Sequence, residues 1–212
     1  MTPSRYEFFA LISGALAVLA WSGTAPYDGP TWWLEAAPVL IALPLLWRTH
    51  RAFPLTPLAY RLIFLHALVL LVGAHYTYAR VPLGFWLEDL LGLSRNPYDR
   101  IGHFMQGFVP AVLAREILLR TSPLVPGRWL AFLVACVCLS ISAAYEFIEW
   151  WTAVAVGASA EYFLATQGDP WDTQWDMLMA LIGAVAAQAA LSGGHDRQLA
   201  GISAHGKQGA SR

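Results

Sequence analysis

Apolar runs bounded by aromatic and polar residues recur along the whole chain, near 6–23, 32–47, 60–79, 97–119, 128–151 and 170–192. A helix needs about 20 mostly apolar residues to cross the hydrocarbon core of a bilayer, and each run reads as one transmembrane span. The second run is the weakest. Its 16 residues are interrupted by Pro38 and Pro44, so it either begins earlier or kinks, which membrane helices tolerate when neighbours satisfy the freed backbone groups. Composition agrees, with 57% hydrophobic and 13% charged residues, the charged share being about half that of an average soluble domain. The expected fold is an all-α integral membrane protein, a single bundle of about six transmembrane helices over residues 1–192. A Gly-rich polar tail, 193–212, is expected to be disordered on the cytoplasmic side.

The near balance of 13 basic against 14 acidic residues gives no case for a nucleic-acid partner. What matters is where the charges sit. Six spans place Arg5, Arg48, Arg51, Arg61, Arg115, Arg120, Arg128, Arg197, Lys207 and Arg212 on or near one face, and only Arg80, Arg95 and Arg100 on the other. That bias predicts a multi-pass protein of the inner (plasma) membrane with both termini cytoplasmic. The acids run in reverse, with Glu7, Glu116 and Asp196 inside and the rest outside. Arg5 and the apolar stretch from Phe8 to Trp21 have the outline of a signal peptide, but Glu7 and Trp21 are unsuited to cleavage, so the segment is expected to be retained. Cys136 and Cys138, two apart in an apolar run, would diverge on a helix and read as packing residues.

Two outer connections are long enough to have structure. Residues 83–93 place Trp86, Leu87, Leu90 and Leu91 opposite Glu88 and Asp89, as a short interfacial helix would. Residues 152–168 mix apolar side chains with Gly157, Gly168 and Glu161 and read as a partly apolar cover, a candidate lid.

Three expected helix ends meet the outer face, and each carries ionisable residues inside its apolar run. The fourth span opens Asn96-Pro97-Tyr98-Asp99-Arg100-Ile101-Gly102-His103, with Asn96 a candidate cap and Pro97 suited to the first helical position. Asp99 and His103 are four apart and share a face, which Gln106 continues. The sixth opens Asp169-Pro170-Trp171-Asp172-Thr173-Gln174-Trp175-Asp176, an echo of the same order: cap, proline, aromatic, aspartate. The fifth ends Tyr145-Glu146-Phe147-Ile148-Glu149-Trp150-Trp151, with Glu146 and Glu149 on one face above Ser142. His75 and Tyr78 close the third span nearby.

An ionised group at the centre of a membrane helix costs about 2.5–3.5 kcal/mol on insertion scales, so several together need partners, water or a cation. Glu146, His103 and Asp176 lie deepest. Carboxylates with imidazole are the donor set for Mg, Mn, Ca or Zn, and equally for general acid and base chemistry. Plainer explanations stand beside these. Asp99, Asp169 and Asp172 in first turns meet the helix dipole favourably, and Glu149, Glu161 and His75 suit the interface. Glu116 and Arg120, four apart, read as a surface pair, and Arg115 as a snorkelling side chain. Eight of the ten tryptophans fall near the outer boundary, which is either an aromatic belt or a stacking surface.

On the motifs Tyr98-Asp99-Arg100-Ile101-Gly102-His103-Phe104, Tyr145 to Trp151, and Gly168 to Met177, the sequence resembles the YjdF-type bacterial inner-membrane family over nearly the whole chain. That family has no characterised function, so the likeness implies fold and membrane location. More distantly it is similar to VanZ-like membrane proteins, whose pattern Asp99, His103 with Phe104, Glu146, Asp176 and Gly183 match, while Ala180 and Glu149 stand where that pattern has amides.

The leading expectation is a small membrane enzyme with a site open to the outer leaflet. A divalent cation would be held by Glu146, His103 and Asp176, with Asp99, Asp172 and Glu149 completing the site. The substrate would be a lipid or lipid-linked head group, hydrolysed or transferred. A proton- or cation-coupled transporter is the alternative, disfavoured because the cytoplasmic half offers no matching relay. A structural or resistance-associated partner without chemistry is a third.

Overall fold

Each of the first three helices begins where the sequence supplies a cap. Helix α1 (Arg5–Ser22) starts behind Ser4, whose hydroxyl accepts the Glu7 N–H at 3.1 Å. In α2 (Gly29–Thr49) the Asp28 carboxylate accepts the Thr31 N–H at 2.9 Å, with proline in the first turn. Thr56 does the same for α3 (Pro57–Tyr76). Helix α2 runs through Pro38 and Pro44 and begins at Gly29, ahead of the expected start. In the computed structural model, which describes residues 2–157 and 161–209, a short 3₁₀ turn (Tyr78–Arg80) follows, then α4 (Pro82–Leu91), α5 (Tyr98–Thr121), α6 (Arg128–Val156), α7 (Glu161–Leu164) and α8 (Asp172–Gly209). Among the described residues there is no strand.

Among the described residues, four helices are long and apolar enough to cross a membrane: α2, α3, residues Arg128–Ala155 of α6 and Asp172–Ile202 of α8. Helix α1 begins with Arg5 and Glu7, and α5 carries Asp99, Arg100, Arg115, Glu116 and Arg120. Helix α5 need not be apolar, because α3, α6 and α8 surround it. Its crossing with α8 is backbone-close. A Cβ at Gly107 would lie 1.7 Å from the Ala180 carbonyl oxygen, and one at Gly183 would lie 2.1 Å from that of Phe104. Small residues at such crossings let membrane helices approach without a bulky side chain between them. Helices α1 and α2 both pack on α3.

The short helix expected at 83–93 forms as α4. Gly84 is buried against Asn96, and Leu83, Trp86, Leu90 and Leu91 are exposed. Two ends differ from expectation. Helix α6 continues past 151 to Val156. The tail expected to be disordered from Gly193 instead prolongs α8 to Gly209. It is tied down: His195 is 1% exposed against Arg115 and Glu116, Asp196 pairs with Arg115 at 2.7 Å, and Gln198 accepts the Leu58 N–H at 3.0 Å. Of the expected cover at 152–168, residues 158–160 and the Glu161 side chain lie outside the described residues. Phe163 of α7 is buried on the bundle.

Candidate functional site

The start of α5 is fixed from two sides. Asn96 accepts the Tyr98 N–H at 3.0 Å and donates to the Val81 carbonyl, while its own backbone exchanges two hydrogen bonds with the Gln167 side chain. Helix α5 therefore opens at Tyr98, with Pro97 as its cap. This seats the loop before α8 against the start of α5. Arg95, which sequence reasoning did not single out, lies at this junction. It donates to Asp172 and to the Ala165 carbonyl and lies 3.5 Å from Asp169 and 3.9 Å from Asp99. Arg100 pairs with Asp169 at 2.6 Å and lies over the Trp175 ring. Asp169 and Asp172 are thus the counter-ions of two arginines at the mouth.

Deeper, the carboxyl groups outnumber their partners. Nε2 of His103 is 3.7 Å from Asp99 and 3.9 Å from Asp176, and its Nδ1 lies 4.0 Å from Glu146 and 3.0 Å from Gln106 Oε1. A proton on Nδ1 donated to Gln106 leaves the Nε2 lone pair facing the two aspartates, the arrangement of a ligating histidine. Among the described residues, two sets of side chains bring one donor atom each within 4.8 Å of one another: Asp99, His103 and Asp176, and His103, Glu146 and Glu149. All five residues are buried. Among the described residues, one oxygen each of Asp99, Glu146 and Asp176 has no hydrogen-bond partner, nor has the Ser142 hydroxyl. Asp172, expected to complete this set, is in neither group.

Beside these residues is a chamber of about 210 Å³, lined by Asp99, His103, Tyr145 and Glu149, by Phe163 of α7, and by two residues that sequence reasoning missed, Glu35 of α2 and His66 of α3. The signal for both was present, since each is an ionisable side chain inside an apolar run, the same feature that singled out His103. His75 lies elsewhere, stacked on Trp21 and bonded to the Ser22 carbonyl. Tyr78 lines the chamber.

The opposite end of the bundle departs from expectation. Glu116 is not a surface residue but 0% exposed. It accepts from the Thr56 N–H and hydroxyl, from Arg120 at 2.8 Å, and is 3.0 Å from His195 Nε2. Arg115 does not reach outward either; it is 5% exposed between His195 and Asp196. A buried ionisable network therefore exists in that half, where none was expected.

Residues 8–197 match a family described as "Predicted membrane protein (DUF2238)". The chain belongs to this family. It is also 55% identical over 182 residues, 86% of this chain and 87% of the relative, to the protein named "Inner membrane protein YjdF" of Escherichia coli strain K12. The resemblance to the YjdF-type family is thereby established, and with it an inner-membrane protein of a family without characterised function. No solved structure matches.

Proposed function

We propose that this chain is a six-span inner-membrane enzyme, both termini cytoplasmic, that uses a divalent cation at the buried histidine–carboxylate cluster to hydrolyse or transfer a lipid or lipid-linked head group. The observation that carries this reading is the environment of His103. Two aspartates face its Nε2 at 3.7 and 3.9 Å, too far for a hydrogen bond, while buried oxygens of Asp99, Asp176 and Glu146 lack partners. Such a gap among hard donors suits Mg, Mn, Ca or Zn. A bound cation polarises an ester or phosphoryl oxygen and activates water. Asp99, His103 and Asp176, with Glu146 and Glu149 beyond, are the residues that would hold it. Asp172, held by Arg95, would shape the mouth.

Metal analysis of detergent-purified protein tests this. Wild type is expected to retain or take up one divalent cation, and Glu146→Gln to hold it more weakly. Protein that holds no cation and binds none on titration would sink the proposal. Coupled transport gains one argument from the buried Glu116–His195–Arg115 network at the other end, which supplies ionisable groups on both sides of the bundle. Proton-coupled uptake into vesicles that disappears in Asp176→Asn would favour it over the enzyme.

A further inference from the structure

One carboxylate of the chamber stands apart from both cation groups. Glu35 is 1% exposed, neither of its oxygens has a hydrogen-bond partner of bonding geometry, and it belongs to neither histidine-centred set. The Tyr78 backbone N–H lies near it, and the other ionisable groups that act on it, Asp99 and Asp28, are acids like itself. Among the described residues no lysine or arginine lines the chamber, and the arginines at its mouth are engaged by Asp169 and Asp172. Only in its ionised form is a buried carboxylate without a counter-ion costly, and a cation beside it is what lets that form exist. One held facing a cavity points to positive charge brought by a ligand. The chamber wall also includes the rings of Tyr78 and Tyr145, and an ammonium group is attracted to aromatic faces as well as to carboxylate.

A second cavity, about 440 Å³, adjoins the chamber between α1, α2, α3 and α5, with Pro38, His66, Leu70 and Pro110 lining both. Its walls are apolar, with Leu11, Leu43, Ile63, Phe64 and Leu113 among them. Along α3 it runs from Tyr60 to Leu70, about 15 Å at 1.5 Å per residue, or half of the ~30 Å hydrocarbon core. A hydrated ion would find nothing in this slot to replace its water, whereas a hydrocarbon chain would lose water or lipid contacts only to regain them.

We propose that chamber and slot are one binding site for a cationic amphiphile, a single alkyl chain bearing an ammonium head, with the head against Glu35 and the chain in the slot. This names the substrate class for the reading above, on which any reaction at the head group rests. Binding itself requires no cation at His103. Glu35 then acts as the counter-ion of the head, and the histidine–carboxylate cluster lies beside the bonds next to it.

The test is equilibrium binding of radiolabelled dodecyltrimethylammonium to the full chain in lipid nanodiscs, against empty discs, with EDTA and again with Mn²⁺ or Zn²⁺. One saturable site is expected. Dodecyl glucoside, with the same chain and an uncharged head, should compete about tenfold or more less well, and Glu35→Gln should weaken binding by a similar factor, the scale of losing one close charge pair beside aromatic rings. Ala67→Phe, which narrows the slot, should weaken the dodecyl probe and leave tetramethylammonium unchanged; Ala42→Leu makes the same test if Ala67→Phe does not fold. Equal binding of charged and uncharged heads, indifference to Glu35→Gln, or no saturation above empty discs would each overturn the proposal. Amphiphile binding that persists in protein unable to take up a divalent cation would support it while sinking the metal-dependent chemistry.

Discussion

Glu116 shows how much a single buried acid does in this bundle. Its carboxylate accepts from Thr56, Arg120 and His195 at once, so Glu116→Ala strands several buried donors. Breaking a buried pair from one side costs about 3–5 kcal/mol, and a loss of that size is expected in thermal or denaturant unfolding in detergent. Glu7→Ala, removing a pair with the Arg61 side chain, itself 59% exposed, should change stability by less than about 1 kcal/mol. Equal effects would contradict this account. The sequence shows Glu116 and Arg120 four apart but not Thr56 and His195, distant in sequence, which turn a surface pair into a buried network. The same limit hid Arg95. For the cluster itself, cation titration of Asp176→Asn should show affinity about tenfold or more below wild type, the scale of losing a ligand or its orienting partner. Asp172→Asn should stay near wild type, because Arg95 holds that carboxylate. Equal losses would return Asp172 to the cation site.

At the scale of elements, the crossing of α5 and α8 sets the geometry of the site, since His103 and Asp176 lie on these two helices. Their approach admits no side chain at Gly183, where a Cβ would lie 2.1 Å from the Phe104 carbonyl and 2.9 Å from the Phe108 nitrogen. Backbone on that side has no rotamer to move. Gly183→Val is therefore expected to abolish a monodisperse peak on size exclusion, whereas Gly193→Ala, with nothing within 4 Å, should elute as wild type. A well-behaved Gly183→Val would mean the crossing is looser than described. The helices were largely legible in the sequence because lipid-crossing runs are local. The ends of α6 and α8 were not. The composition of 193–202 is that of a loose tail, and what holds it helical is tertiary, through His195, Asp196 and Gln198.

For the molecule as a whole, the number of helices that cross the bilayer turns on α5. Its 24 residues span about 36 Å at 1.5 Å each, more than the ~30 Å core. Its Asp, Glu and Arg residues fall at the two ends, and between Arg100 and Arg115 only His103 is titratable. Neighbours bury the inner charges, so we expect α5 to cross despite its polarity, and with α1 crossing too, six spans follow. Single cysteines in a background with Cys136 and Cys138 replaced by alanine decide it by labelling with a membrane-impermeant maleimide. Asp89→Cys and Ser94→Cys should label in intact spheroplasts; Thr2→Cys, Ala52→Cys and Val125→Cys only after permeabilisation. Labelling of Ser94→Cys and Val125→Cys from the same side would mean that α5 does not cross, and Thr2→Cys on the side opposite Ala52→Cys would remove α1. The full inverse pattern would keep six spans and turn the chamber toward the cytoplasm, where its amphiphile would come from the inner leaflet.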